Sequence, residues 1–147
     1  MEVAIDQASK GIETGNGEVG VAAVKDGELV FACFNTMNTT WDVTGHAEIT
    51  ALRHVSQALK SFDLSGHTIY CTLQPCTMCM AAIIWAEIDR VVYGATRSMV
   101  PAYYFDVVNL EPEELVSRSG RQKPALRAGV LGERCSRLYW DLRRTRL

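Results

Sequence analysis

The chain lacks any apolar run that could span a bilayer: the longest, Met78 to Ala86, is far shorter than the roughly 20 residues a membrane helix needs. The N-terminal Met-Glu-Val-Ala-Ile-Asp has neither a basic start nor an apolar signal core, so no secretory signal is read there. A cytoplasmic address with no membrane partner is the expectation. Cysteine is sparse and odd in number, five in 147 residues, unlike the dense even frameworks of small secreted domains. Metal or redox chemistry suits such a set better than disulfides. No internal repeat or low-complexity segment is visible, and 48% hydrophobic with 22% charged residues is ordinary soluble usage, which excludes fibrous, disordered and collagen-like classes. The length suits one domain over residues 1–147 with a core that needs no covalent staples.

A formal charge of −2 gives no push toward nucleic acid, but the charge is unevenly spread. From Arg118 onward nine Lys/Arg face only Glu133 and Asp141, which leaves six basic and fifteen acidic residues before that point. The basic end suits a polyanion, or a solvated helix and an acidic surface of the same or another subunit.

Val3, Ile5, Ala8 and Ile12 recur at helical spacing and Gly15-Asn16-Gly17 supplies a stop, so residues 2–14 read as an amphipathic helix. Strand-like runs at 19–24 and 29–34 flank Lys25-Asp26-Gly27-Glu28, a hairpin signal, and polar residues 35–45 read as a loop. A helix over about 46–60, a strand over 68–73, a helix over 77–87 apolar almost all round, and a strand at 91–93 follow. The stretch from about 97 to 123 is hard to read apart from a helix start at Glu111-Pro112-Glu113-Glu114. A short strand near 125–130 and a helix over about 132–145 close the chain. This order predicts an α/β fold, a three-layer α/β/α sandwich around a mixed sheet of about five strands, with ligands favouring clefts where strands end and helices begin.

Chemistry-bearing residues fall at those junctions. In Pro75-Cys76-Thr77-Met78-Cys79 the two cysteines stand at i and i+3 on a first helical turn, where helix-end amides favour thiolates. Alone, this motif fits a redox dithiol or half a structural zinc site equally well. Thr44-Gly45-His46-Ala47-Glu48 opens the preceding helix and adds an imidazole and a carboxylate. His46, Cys76 and Cys79 make three ligands for one ion with a fourth position open, the pattern of a zinc site that admits water. Glu48 is the proton carrier beside it, and both His46 and Glu48 point inward only if the helix begins right there.

The two segments, with Arg90-Val91-Val92-Tyr93-Gly94-Ala95 after them, resemble the cytidine-deaminase-like superfamily of zinc-dependent nucleobase and nucleoside deaminases, most closely its tRNA adenosine deaminase and guanine deaminase branches. The resemblance runs from the first helix to about residue 95, with a fainter echo in Gly129-Val130-Leu131. It implies one Zn2+ per chain, hydrolytic release of ammonia, Glu48 as general acid and base, and a homodimer or higher homo-oligomer. It also implies that Asn35 contacts substrate, although an asparagine there serves equally well to cap a loop. Trp41, Tyr104 and Phe105 are candidate pocket walls. Asp106, after Phe105, resembles the Phe-Asp of guanine deaminases, where a carboxylate meets the N–H donors of guanine.

Several positions depart from the family pattern. Gln74 stands where relatives place glutamate, Gly20 and Ala22 replace a proline and a glycine in the first strand, and Gly20 is expected to loosen the pocket floor. The small-residue Gly-Ala-Ala-Gly run of the tRNA branch is not found after Gly94. Cys71 reads as a buried strand residue, Cys33 and Cys135 have no evident partner, and His54 and His67 read as surface or loop histidines. Three functions follow: a deaminase of a free base or nucleoside with a guanine-type purine favoured, a tRNA wobble adenosine deaminase with RNA as the less favoured partner, and a non-catalytic zinc-binding module.

Overall fold

The computed structural model describes residues 1–106, 108 and 110–140. Its centre is a five-stranded mixed sheet in the order β2-β1-β3-β4-β5, formed by Gly20–Lys25 (β1), Glu28–Phe34 (β2), His67–Leu73 (β3), Arg90–Ala95 (β4) and Ala125–Arg127 (β5). β1 pairs antiparallel with both β2 and β3, whereas β3–β4 and β4–β5 are parallel. The β1–β2 turn places Asp26 at φ 50° and Gly27 at φ 83°, the two positive values that a tight hairpin turn demands. Ala23 pairs with Phe31 and Val24 with Leu29, so Val30 is an extra, bulged residue on the edge strand.

Among the described residues six helices cover the two faces: Glu2–Glu13 (α1), Met37–Thr40 (α2), Ala47–Leu59 (α3), Thr77–Trp85 (α4), Pro112–Arg118 (α5) and Gly132–Arg137 (α6). Odd-numbered positions of the central strands, Val21, Ile69, Cys71 and Val91, face α3 and α4 in the larger core with Ala51, Val55, Met80 and Ile83. Leu115 and Val116 of α5 pack against the same core. The opposite face takes α1 and α6, where Leu73, Ala95, Val100, Phe105, Cys135 and Tyr139 form a second, smaller core. The three layers expected from the sequence are therefore present.

Two glycines let helices approach this second face. A Cβ on Gly20 would stand 2.0 Å from Ala4 O and 2.5 Å from Ala8 N, and one on Gly94 would stand 2.2 Å from Cys135 Sγ. Gly20 thus seats α1 on β1, a packing role in place of the loosened pocket floor read from its sequence position. Beside it, Thr72 Oγ1 accepts from Gly20 N at 3.0 Å and shares a hydrogen bond of 2.8 Å with Tyr139 OH, tying β1, β3 and the end of the described chain together.

Other differences have local causes. The loop 35–45 holds the one-turn helix α2, which Asn35 starts by accepting the Met37 N–H on its side-chain oxygen at 2.9 Å. α4 ends at Trp85 and keeps one exposed stripe, Met78, Ala81 and Trp85, while α3, α5 and the sheet cover the rest of it. An open groove of about 600 Å³ runs beside that stripe, between Leu52 and Arg53 of α3 and Ala82 and Trp85 of α4. β5 is three residues long, and of the helix expected over about 132–145 the described part, α6, stops at Arg137, while positions 141–145 lie outside the described residues. His67 is buried rather than superficial, its Nδ1 2.9 Å from Leu64 O, because β3 begins one residue earlier than the sequence suggests. His54 is exposed and stacks on Phe31 with ring centroids 3.7 Å apart. Among the described residues no helix is long and apolar enough to cross a membrane.

Overpacking against rigid backbone costs typically 1–3 kcal/mol, so Gly20→Ala is expected to lower the unfolding free energy by about 3 kcal/mol. Gly120→Ala, where an added Cβ meets nothing within 4 Å, should change it by less than about 0.5 kcal/mol. Urea denaturation of both variants checks this.

Candidate metal centre

The loop that delivers the first ligand is built before the ligand itself. Asp42 Oδ1 accepts from Thr44 N at 2.8 Å and from Thr44 Oγ1 at 2.7 Å, while Arg53 on α3 donates from Nη1 to Asp42 Oδ2 and from Nη2 to Thr44 Oγ1, both at 2.8 Å. Gly45 closes the turn by donating to Asp42 O at 2.9 Å and accepting from Thr36 N at 2.8 Å. These hydrogen bonds hold the Asp42 carboxyl down at about 2, the Thr44 hydroxyl first and the Arg53 guanidinium after it.

His46 then sits at the N-cap of α3 with extended backbone, φ −61° and ψ 149°. That geometry reconciles His46 with Glu48, since the helix begins only at Ala47 and the two side chains are free of the regular i, i+2 divergence. Cys76 occupies the N-cap of α4 in the same way, φ −70° and ψ 170°, and Cys79 lies within that helix's first turn. Packing of α3 beside α4 brings the three together: His46 Nδ1 is 3.7 Å from Cys76 Sγ and 3.5 Å from Cys79 Sγ. The three ligand atoms all lie within 4.8 Å of one another.

These separations fit a metal. A tetrahedron with Zn–N of about 2.0–2.1 Å and Zn–S of about 2.3 Å has N···S edges of about 3.6 Å. Among the described residues nothing else explains the cluster, because all five cysteines are free thiols and neither N-cap side chain caps its own helix. Cys71, the cysteine that could close the site as a fourth thiolate, lies fully buried on β3 outside this trio, with its thiol pushed well up by burial. Cys33 is likewise raised, to about 12, and donates to Ala47 O at 3.2 Å.

The charge state of the trio is set by the same geometry. Cys76 is pulled down to about 4, first by the hydrogen bond from the Cys79 thiol and then, against burial, by His46. Cys79 is correspondingly pushed up, and the imidazole of His46 is raised by its hydrogen bond to Cys76. Glu48 is 3% exposed, and burial together with the Cys76 charge lifts its carboxyl to about 7. Glu48 Oε2 is buried without any hydrogen-bond partner, a state that costs about 1–3 kcal/mol and marks an oxygen aimed at something other than the protein.

The remaining sequence candidates are not brought into the trio: they differ in exposure, and Tyr104 and Phe105 pack in the smaller core on the other face of the sheet. Asn35 is half-buried, with its oxygen committed to the α2 turn and its NH2 left to donate. Trp41 is exposed in a left-handed conformation, φ 54°. Phe105 is buried in the smaller core, its ring under the Arg97 guanidinium at 4.7 Å, and Asp106 follows it on the surface. Tyr104 donates to Glu18 and meets Tyr139 edge-on at 5.2 Å. Sequence reasoning did not find Arg97, whose only signal was its place in the unreadable stretch after β4.

Residues 1–95 match the family described as the cytidine and deoxycytidylate deaminase zinc-binding region. The chain is 34% identical over 95 residues to the tRNA-specific adenosine deaminase of Aquifex aeolicus, an alignment covering 65% of this chain and 63% of that one. It is 35% identical over 107 residues to the guanine deaminase of Bacillus subtilis, covering 72% and 69%. The chain thus spans less than two thirds of the Aquifex protein's length. A solved structure from a study of A-to-I editing by tRNA:A34 deaminases superposes with a TM-score of 0.81 at 32% identity, over 94% of this chain and 96% of that one.

Alanine at His46, Cys76 or Cys79 should abolish stoichiometric zinc in the purified protein, and Cys71→Ala should leave it, as read by metal analysis. The depressed Asp42 carboxyl stabilises the fold above its ordinary value of 3.8, and that contribution is lost as pH falls from there through about 2. The difference in melting temperature between wild type and Asp42→Ala should therefore be full at pH 5 and shrink toward pH 2.

Proposed function

The chain belongs to the cytidine and deoxycytidylate deaminase zinc-binding family, and from that footing we propose that it is a hydrolytic deaminase that replaces the exocyclic amine of a purine with a carbonyl oxygen and releases ammonia. The observation that carries this reading is the buried Glu48 carboxylate, one oxygen unpartnered, beside the His46, Cys76 and Cys79 trio. Those three residues would hold the zinc. When bound, the ion supplies Lewis-acid activation that makes water a nucleophile near neutral pH.

Every other part belongs to side chains of this chain. Glu48, with its carboxyl held near neutrality, accepts a proton from the attacking water, delivers it to the adjacent ring nitrogen, and assists departure of the amine as ammonia. Water adds and ammonia leaves, so no oxidant or second substrate is needed. In this reading the NH2 of Asn35, whose oxygen is already taken by Met37 N–H, donates to an acceptor on the base or ribose.

An adenosine within a tRNA loop is the first substrate to test. The likeness to the tRNA:A34 deaminase structure supports it, because that likeness extends over 94% of this chain at 32% identity, as does the basic excess from Arg118 onward. A guanine-type free base is the second reading, supported by the surface carboxylate of Asp106 and by 35% identity to the Bacillus subtilis guanine deaminase.

The test is ammonia release by zinc-loaded protein from guanine, adenine, cytosine, their nucleosides and a tRNA anticodon stem-loop. Glu48→Gln should lower turnover by about 10²–10⁴ while keeping one zinc per chain. Activity confined to the stem-loop, falling steeply with salt, selects the RNA substrate; salt-insensitive turnover of guanine selects the free base. Full activity in Glu48→Gln, or zinc-loaded protein inert on every substrate, overturns the reading.

A further inference from the structure

Gln74 is the residue immediately before Pro75-Cys76, and it is 4% exposed. A buried primary amide needs partners for both of its ends. Here Nε2 donates to Glu111 Oε2 at 2.7 Å, and Oε1 accepts from the backbone N–H of Arg97 at 3.1 Å. The backbone of Gln74 adds a third tie, N–H to Ala95 O at 2.8 Å. Arg97 completes the circuit: its Nε lies 3.2 Å from Glu111 Oε1, at an angle that makes an ion pair rather than a hydrogen bond, and its Nη2 donates to Leu110 O at 3.4 Å. The same guanidinium covers the Phe105 ring.

The chain leaves the sheet after Ala95 and enters α5 at Glu111, and Arg97 and Glu111, near the two ends of that excursion, are both fastened to one side chain on the turn that carries a metal ligand. Only a group with a donor at one end and an acceptor at the other can do this. A glutamate at position 74 would set its carboxylate against that of Glu111, and like charges in contact repel.

We propose that Gln74 is a positioning residue that clasps Arg97 and Glu111, the two ends of the segment after β4, to the Cys76 turn, and that the segment so held contributes to substrate binding. This rests on the deaminase reading for its kinetic consequence but not for its structural one. The amide at position 74 and the carboxylate at position 111 are a matched pair, and swapping them should preserve the clasp. The carboxylate, now on the Cys76 turn, would accept from the amide across the gap and would still accept from the Arg97 N–H.

The experiment compares zinc-loaded wild type with Gln74→Glu, Glu111→Gln and the double variant, by hydrogen exchange of peptides covering Thr96–Phe105 and by steady-state kinetics on the purine identified above. Gln74→Glu should keep one zinc per chain, speed exchange in those peptides by about tenfold, and raise KM by about tenfold with kcat within about twofold. The double variant should bring both quantities back to within about threefold of wild type. Wild-type exchange rates in Gln74→Glu, a double variant no better than the single one, or zinc loss in Gln74→Glu would each overturn the proposal. If no substrate is turned over, the deaminase reading fails by itself and the exchange rates still decide the clasp.

Discussion

Everything at the centre depends on two helix N-termini being packed side by side over one sheet. Such ends carry unsatisfied N–H groups and the positive pole of the helix dipole, and proteins usually answer them with Ser, Thr, Asp or Asn at the cap. Here the caps of α3 and α4 are His46 and Cys76, and neither side chain bonds its own helix. Forgoing a good cap costs typically about 1 kcal/mol per helix. The fold accepts that cost twice to hold an imidazole and a thiolate 3.7 Å apart in a field that favours the thiolate. A metal ion that binds this arrangement and not the unfolded chain returns the stability through its own affinity.

The surroundings make that arrangement rigid from both directions. On the histidine side, Arg53 reaches back from α3 to the Asp42–Thr44 turn, so the helix grips the loop that leads into it. On the cysteine side, β3 is a central strand, hydrogen-bonded to β1 and β4, and its last residues lead straight into the Cys76 turn. Glu48 then lies on the first turn of α3 over the larger core, where burial is the largest cause of its raised carboxyl. One sheet face is thus given to chemistry and the other, with Gly20 and Gly94 admitting α1 and α6, to holding the layers together.

The parts of this that were legible in the sequence are those governed by local spacing. The Asp26-Gly27 turn, the helix opening at His46 and the Cys76/Cys79 pair each follow from a few neighbouring residues, and zinc ligation follows from the latter two. What could not be read depends on contacts distant in sequence. Gln74 finds its partner at Glu111, Thr72 finds Tyr139, and the segment after β4 takes its course from Arg97 holding Leu110 and Glu111 rather than from any periodicity. The apolar circumference of α4 gave no hint of which stripe stays open. Its composition implies burial on most of its surface, which α3, α5 and the sheet supply, but Met78 and Trp85 are left exposed. His67 shows the converse, a polar residue drawn into the core because a carbonyl, that of Leu64, was there to receive its ring nitrogen.

The bulge at Val30 bears on a hazard that open sheets share. A long regular strand at the margin of a sheet offers a row of free amides and carbonyls on which another chain can build, and runaway strand addition is one route to aggregates. β2 is such a margin, with Leu29 and Val30 both exposed. Its break in register at Val30 twists the strand locally, so a straight newcomer cannot keep pairing past that point. At the opposite margin, β5 is only three residues long and gives too little length to recruit a neighbour. Among the described residues, the irregularities of the two outer strands leave neither side of the sheet a long regular edge on which another chain could build.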